Sequence, residues 1–280
     1  MTILSRVTPE TDPRADHRLP YGKDPSQFGE LWLPRDKHPG GAPVIAFLHG
    51  GWWQSEYDLA YANPLCAALR DDGYAVWSIE YRRVGGTGGG WPATFQDAAE
   101  GFDFLATVAK SYPLDLNRVA AMGHSAGGHL AFWLAGRHHI AETSPIHNPQ
   151  PRVELHGLIA LAGAVDLRLT IDLSGYFAFA HDKREVYSLM GGPPADLSDR
   201  YKAGNPGELL PLGVRQILLQ GTEDNQIPPE LPGRWADNAR RQGDDVAVVM
   251  IQGGDHFDIV DPAAKAFEKV RDAVKRVFSK

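Results

Sequence analysis

Residues Val119–Gly136 read VAAMGHSAGGHLAFWLAG, and the reading of this stretch decides the fold. Val119–Met122 is a short apolar run closed by glycine, as expected of a strand buried on both faces. Ala126–Ala135 is rich in Ala and Leu and stops at Gly136, which reads as a helix with a glycine terminator. Between them lies Gly123-His-Ser-Ala-Gly127, the pattern G-x-S-x-G. Glycines on both sides let the backbone turn tightly from strand to helix. Such a turn lifts Ser125 Oγ above the sheet at a helix N-terminus, where a nucleophile is presented.

The same grammar repeats outward from this unit. Val44–Leu48, Ala75–Ile79, Leu158–Leu161, Gln216–Leu219 and Val246–Ile251 are apolar runs bounded by Gly, Pro or Asn. Helical patterns follow at Leu59–Arg70, Phe95–Ala109 and Ala263–Phe278. Strands alternating with helices predict an α/β fold, a mostly parallel central sheet flanked by helices. Phe28–Leu33 alternates apolar and polar residues, as an outer strand or hairpin arm would. From Asp166 to Pro211 the alternation fails. That stretch carries Tyr176, Phe177, Phe179, Tyr187 and Tyr201 among glycines and prolines. It reads as a small inserted helical and loop segment, cap-like, at about 166–211. The expected organisation is one domain over 1–280, with 1–20 as an N-terminal extension.

Composition narrows the partners. The chain has 280 residues, 43% hydrophobic and 22% charged, with a net charge of -7. No basic block appears, so nucleic acid is not expected to bind. Lys265, Lys269, Arg271, Lys275 and Arg276 oppose Phe267, Val270, Val274 and Val277, which reads as the solvated face of a docked helix. Cys66 is the single cysteine; it lies in an apolar run and reads as a small buried hydrophobe. The first residues lack a signal-like apolar core, and no run has the length of a membrane span. The expectation is a cytoplasmic protein with no membrane contact.

Three further strand ends carry chemistry. His49-Gly-Gly-Trp52 follows Val44–Leu48, and its glycines let a substrate oxygen approach backbone amides. The expected oxyanion donors are the amides of Gly51, Trp52 and Ala126. Gly221-Thr-Glu-Asp224 follows Gln216–Leu219; Asp224 is the expected carboxylate, with Glu223 and Asp166 as rivals. His256 follows Val246–Ile251 and the Gly253-Gly254 pair. The catalytic candidates Ser125, Asp224 and His256 thus occur in the order Ser, Asp, His. Asp255 adjoins His256 and suits loop capping. His124 should point away from Ser125 Oγ, and His129 should pack or hydrogen-bond beneath the site. His138 and His139 sit at a helix end, where an imidazolium suits the dipole. Arg82 and Arg83 read as solvated. No H-E-x-x-H or paired Cys/His spacing occurs, so neither metal nor other cofactor is expected.

With H-G-G-x-W, G-H-S-A-G-G-H, G-T-x-D-x-x-I-P and D-H-F-D-I-V in place, the chain resembles the α/β-hydrolase-fold serine esterases that include arylformamidase (kynurenine formamidase) and carboxylesterases. The likeness runs from about Tyr21 to the C-terminal helix. It implies the Ser125/Asp224/His256 triad, the oxyanion loop and hydrolysis of a small-molecule ester or amide without a cofactor. Trp53, Tyr57 and Trp91, beside Trp52, are the expected pocket residues. The sequence departs from hormone-sensitive-lipase-like esterases, since Trp52 stands where those carry a third glycine. Esters and aryl formamides both remain open as substrates, with an amidase or peptidase on the same triad as the alternative. A non-catalytic binding protein on this fold typically loses the serine or histidine, and both are present here. The oligomeric state is left open.

Overall fold

A computed structural model describes residues 13–148, 153–174 and 183–279. The strands are β1 (His17–Pro20), β2 (Phe28–Trp32), β3 (Ala42–Leu48), β4 (Ala75–Ile79), β5 (Leu114–His124), β6 (Gly157–Leu161), β7 (Arg215–Gly221) and β8 (Val246–Ile251). They form an 8-stranded sheet in the order β1-β2-β4-β3-β5-β6-β7-β8. β3 through β8 pair in parallel, while the β1–β2 hairpin adds antiparallel to β4.

Every residue of β3 is buried, because helices cover both faces of the sheet and leave no polar side to alternate with. Val44, Ala46 and Leu48 face one layer and Ile45 and Phe47 the other, as the period of two requires. The first layer is packed by α2 (Ala93–Asp103), α4 (Ala126–Gly136) and α8 (Leu231–Arg241). The second is packed by α1 (Asn63–Asp71) and α9 (Phe267–Phe278). α9 buries Phe267, Val270, Val274 and Val277, and Lys265, Lys269, Lys275 and Arg276 are exposed. α4 is buried on every side, as an apolar-all-round helix must be.

Several expected boundaries shift for local reasons. β5 begins at Leu114, because Leu114 and Asp115 pair with Ala42 and Pro43 ahead of a register shift. Leu59–Arg70 divides into a 3-10 turn at Leu59–Ala62 and α1, with Pro64 in the first turn of α1. Phe95–Ala109 divides into α2 and α3 (Leu105–Val108). The C-terminal helix starts at Phe267, not Ala263. α8 has no counterpart among the expected helices; Leu231, Trp235, Ala236 and Ala239 form its buried stripe. Part of the supposed extension is β1, which pairs with β2. Between β6 and β7 lie α5 (Leu167–Leu173), α6 (Lys183–Met190) and α7 (Ser198–Gly204), and no strand occurs among the described residues there. Tyr176, Phe177 and Phe179, like residues 1–12, lie outside the described residues.

Close approach fixes where α4 sits. A Cβ on Gly127 would lie 2.0 Å from the Leu48 carbonyl oxygen, and one on Gly123 would lie 2.1 Å from that of Gly127. On Gly128 it would meet the Gly163 Cα at 2.7 Å. All three obstacles are backbone, which cannot rotate away. Gly127→Ala is therefore expected to cost about 3 kcal/mol of stability. Gly233→Ala on the exposed side of α8, where nothing lies within 4 Å, should add about 0.4–1 kcal/mol. Urea denaturation of both variants checks this, and equal effects would refute the close-packing account.

Candidate active site

Four strands end on one side of the sheet and carry the candidate residues. After β5, Ser125 adopts φ 54 and ψ -121, a conformation an L-residue takes only under constraint, at about 1–3 kcal/mol. Its amide donates to the Leu161 carbonyl at 2.9 Å, and its carbonyl accepts from Gly128 at 2.9 Å and Ala164 at 3.0 Å. Ala126 opens α4 directly behind it, among the helix amides that have no partner within the helix.

After β7, Asp224 is buried and paired with His256, whose Nδ1 lies 2.8 Å from Oδ2. The same oxygen accepts from Gln220 Nε2 at 2.8 Å, and Oδ1 accepts from the Gln226 and Ile227 amides at 2.7 and 2.9 Å. Burial alone pushes this carboxyl up. The His256 charge, its hydrogen bond and the two amides outweigh that, leaving it below the ordinary range. The rivals go elsewhere. Glu223 is exposed, and Asp166 caps α5, accepting from the Arg168 and Leu169 amides. Asp255 caps its own loop, accepting from the Phe257 and Asp258 amides at 2.8 and 2.9 Å.

After β3, Gly51, Trp52 and Trp53 take φ values of 106, 52 and 58, three left-handed residues in succession. Bonds at the loop's two ends hold this conformation. Val84 N–H donates to the Trp53 carbonyl at 2.8 Å, and Tyr81 O–H donates to the His49 carbonyl at 2.8 Å. His49 donates from Nδ1 to the Gly50 carbonyl at 2.7 Å, and its Nε2 faces Glu80 Oε1 at 2.9 Å. Both ring nitrogens therefore face acceptors. Burial raises the Glu80 carboxyl, but the His49 charge, Arg83 and the Tyr81 amide bring it below the usual range. Glu80 was assigned no role from sequence; its signal was an acidic residue directly after the apolar β4.

The remaining expectations meet mixed outcomes. Tyr57 is 39% exposed and covers Gly51, where a Cβ would lie 2.4 Å from the Tyr57 Cβ. Trp52 is mostly enclosed, whereas Trp53 has no exposed surface and packs in a T-shape with His129. Trp53 is thus a core residue behind the loop, without a surface for ligand. Trp91 packs on Phe95 beneath the Arg200 guanidinium. His129 lies beneath the site as expected, donating from Nε2 to the Gly204 carbonyl at 2.8 Å. His124 bonds Tyr61 and the His256 carbonyl; Tyr61 had no part in the sequence reading. Arg82 is not simply solvated, since it forks onto buried Asp97 at 2.7 and 2.6 Å. His138 is held below its ordinary pKa by burial and by His139, which outweigh the Ala135 carbonyl at the helix end that favours its charge. Cys66 is buried, its thiol pushed up to about 12 by desolvation. Among the described residues, no group of three or more His, Cys, Asp or Glu is placed to hold a metal ion. No described helix is long and apolar enough to cross a membrane.

This sheet order, with candidates at the ends of β3, β5, β7 and β8, is the α/β-hydrolase fold. A solved carbohydrate esterase from gut microbiota, in truncated form, superposes with a TM-score of 0.78 at 20% identity, over 96% of this chain and 99% of that one. Residues 30–233 match the family described as BD-FAE, and the chain belongs to it. A probable isoprenylcysteine alpha-carbonyl methylesterase of Arabidopsis thaliana is 26% identical over 253 residues, 88% of this chain and 52% of that protein. The kynurenine formamidase of Drosophila melanogaster is 23% identical over 243 residues, 82% of this chain and 71% of that one. The chain thus spans about half the length of the plant relative.

Two buried histidines make a pH prediction. Burial lowers His124 to about 3, helped by the His256 charge, and lowers His129 to about 4. The unfolded chain, with histidines near 6.5, takes up these protons first as pH falls. Stability is then complete above about pH 7 and declines below it, on the order of 1 kcal/mol per pH unit for each ring. Urea denaturation from pH 7.5 to 4.5 should show this decline. His129→Gln, which keeps a donor for Gly204, should flatten it; an unchanged slope would refute the assignment.

Proposed function

We propose that the protein is a serine hydrolase of small carboxylic esters, with Ser125 as nucleophile, His256 as base and Asp224 as its orienting acid. The observation that carries this reading is the 2.8 Å contact between His256 Nδ1 and Asp224 Oδ2, on loops flanking a strained serine at the head of α4. Asp224 fixes the tautomer in which Nε2 is free to take a proton. His256 removes the Ser125 proton, Oγ attacks the carbonyl carbon, and the oxyanion rests on the Gly51, Trp52 and Ala126 amides. His256 then protonates the leaving alcohol. Water, activated by the same ring, releases the acid from the acyl-enzyme and restores Ser125.

The names of the relatives support an ester as substrate. Aryl formamides are the second reading, favoured by the formamidase relative. The helices between β6 and β7 act as a cap, and α7 is fastened to α4 by His129 to Gly204 and Trp133 to Ala203 at 2.8 and 2.9 Å.

Ser125→Ala and His256→Ala should each lower kcat by about 10⁴–10⁶, with the double variant little worse, because the residues act as a unit. Asp224→Asn should cost about 10⁴, and Glu223→Gln little. Rates on p-nitrophenyl acetate, butyrate and octanoate, and on N-formylkynurenine, with acyl-serine detection by mass spectrometry, test the chemistry. Trp52 beside the donors should depress the octanoate rate, and Trp52→Ala should relieve it. Full activity in Ser125→Ala would sink the mechanism.

A further inference from the structure

The proposed chemistry needs three loops in register: His49–Gln54, the turn at Ser125 and the loop bearing His256. One line of hydrogen bonds joins all three. Gly50 N–H donates to Tyr61 Oη at 2.7 Å. Tyr61 lies 2.7 Å from His124 Nδ1, and His124 Nε2 lies 3.0 Å from the His256 carbonyl. The directions are forced. A carbonyl only accepts, so His124 carries its proton on Nε2 and its Nδ1 is the bare nitrogen. Tyr61 must then give its single proton to Nδ1, while its oxygen accepts from Gly50. Each group in the line is satisfied.

We propose that Tyr61 and His124 are positioning residues, a directional relay that locks the Gly50 backbone and the His256 main chain to the Ser125 turn. The proposal rests on the serine-hydrolase reading above. Neither residue needs to touch substrate; breaking the relay lets the imidazole and the oxyanion donors drift from the nucleophile. A misplacement of about 1 Å in such a site can cost about 10²-fold in rate. The His124 ring also stands 4.7 Å from that of His256. Burial keeps it neutral, so it adds no repulsion when His256 becomes an imidazolium.

The test uses the full chain with p-nitrophenyl butyrate and a fluorophosphonate probe. Tyr61→Phe removes one oxygen and should lower kcat about 10- to 100-fold, with KM changed less than about threefold. His124→Asn and His124→Gln both delete the ring, yet they keep opposite links. Asn offers an acceptor to Tyr61 near the Nδ1 position, whereas Gln reaches the His256 carbonyl with an N–H. The relay predicts that each variant loses kcat at similar Tm, and that adding Tyr61→Phe costs a further 10-fold or so on the Asn background but little on the Gln background, where the Tyr61 link is already broken. A space-filling role predicts the same Tyr61→Phe cost on both. Should a variant fail to fold, ¹⁵N NMR of the wild-type histidines decides: His124 must be the neutral Nε2–H tautomer from pH 5 to 9. A proton on Nδ1 would overturn the relay. Wild-type protein that the probe does not label at Ser125 would instead remove the serine reading itself. Normal labelling with Tyr61→Phe and His124→Asn turning over like wild type would remove only the relay.

Discussion

The feature on which everything else depends is the contact between α4 and the two strands beneath it. The Leu48 carbonyl comes so near Gly127, and the Gly127 carbonyl so near Gly123, that neither position has room for a Cβ. Because the helix sits that low, the chain must reverse within one residue of the end of β5. Ser125 is that residue, and its positive φ is the consequence. The serine amide and carbonyl are both claimed by β6 and the residues after it, so the turn cannot relax without unpairing the sheet. A strained residue persists only where its surroundings over-determine it. Here the surroundings are backbone from three separate segments.

The loop after β3 solves a similar problem with different means. Trp52 and Trp53 both hold positive φ, at about 1–3 kcal/mol each. Removing a fully buried tryptophan typically costs about 3–5 kcal/mol, so the enclosure of Trp53 is large enough to offset the distortion of its own backbone. The polar half of the loop relies on charge. His49 and Glu80 are both enclosed, and a buried ion pair is stable only when its remaining lone pairs and protons are satisfied. Glu80 meets that condition through the Tyr81 and Leu59 amides at 2.9 and 3.2 Å, and His49 through the Gly50 carbonyl. Removing one partner of such a buried pair typically costs about 3–5 kcal/mol.

This division explains what was legible in the sequence. The inner strands were readable because burial on both faces makes each a short unbroken apolar run, and Ala75–Ile79 appears with the expected bounds; the edge strand Val246–Ile251 keeps its bounds too, although only Val246 in it is buried. The candidates Ser125, Asp224 and His256 were readable because each follows an apolar run, with Gly123, Gly221 and Gly254 two or three residues ahead. Glu80 and Tyr61 were not, because their roles arise from contacts between segments distant in the chain: Tyr61 meets His124 across 63 positions. Periodicity reports which face of an element is buried and is silent on what a polar group finds there. α8 was hidden for another reason, since Pro-Gly within its first turn resembles a chain reversal, although proline is tolerated at that point of a helix. Trp53 was misjudged because a tryptophan beside glycines looks the same whether it faces ligand or core.

The geometry also separates machinery from selectivity. The groups proposed to break the bond sit at the ends of strands whose positions are set by sheet pairing and by α4, and few substitutions there are compatible with the backbone spacing. The groups that would meet the rest of a substrate, such as Tyr57 over Gly51 and the helices between β6 and β7, belong to connections that the sheet does not constrain. α7 nevertheless hangs from α4 through two side chains, His129 and Trp133, whose ring N–H groups hold successive carbonyls at Ala203 and Gly204. These bonds engage only main-chain acceptors, so they tolerate any side chain on the α7 side. Side chains on α7 can therefore change while its docking onto α4 stays fixed.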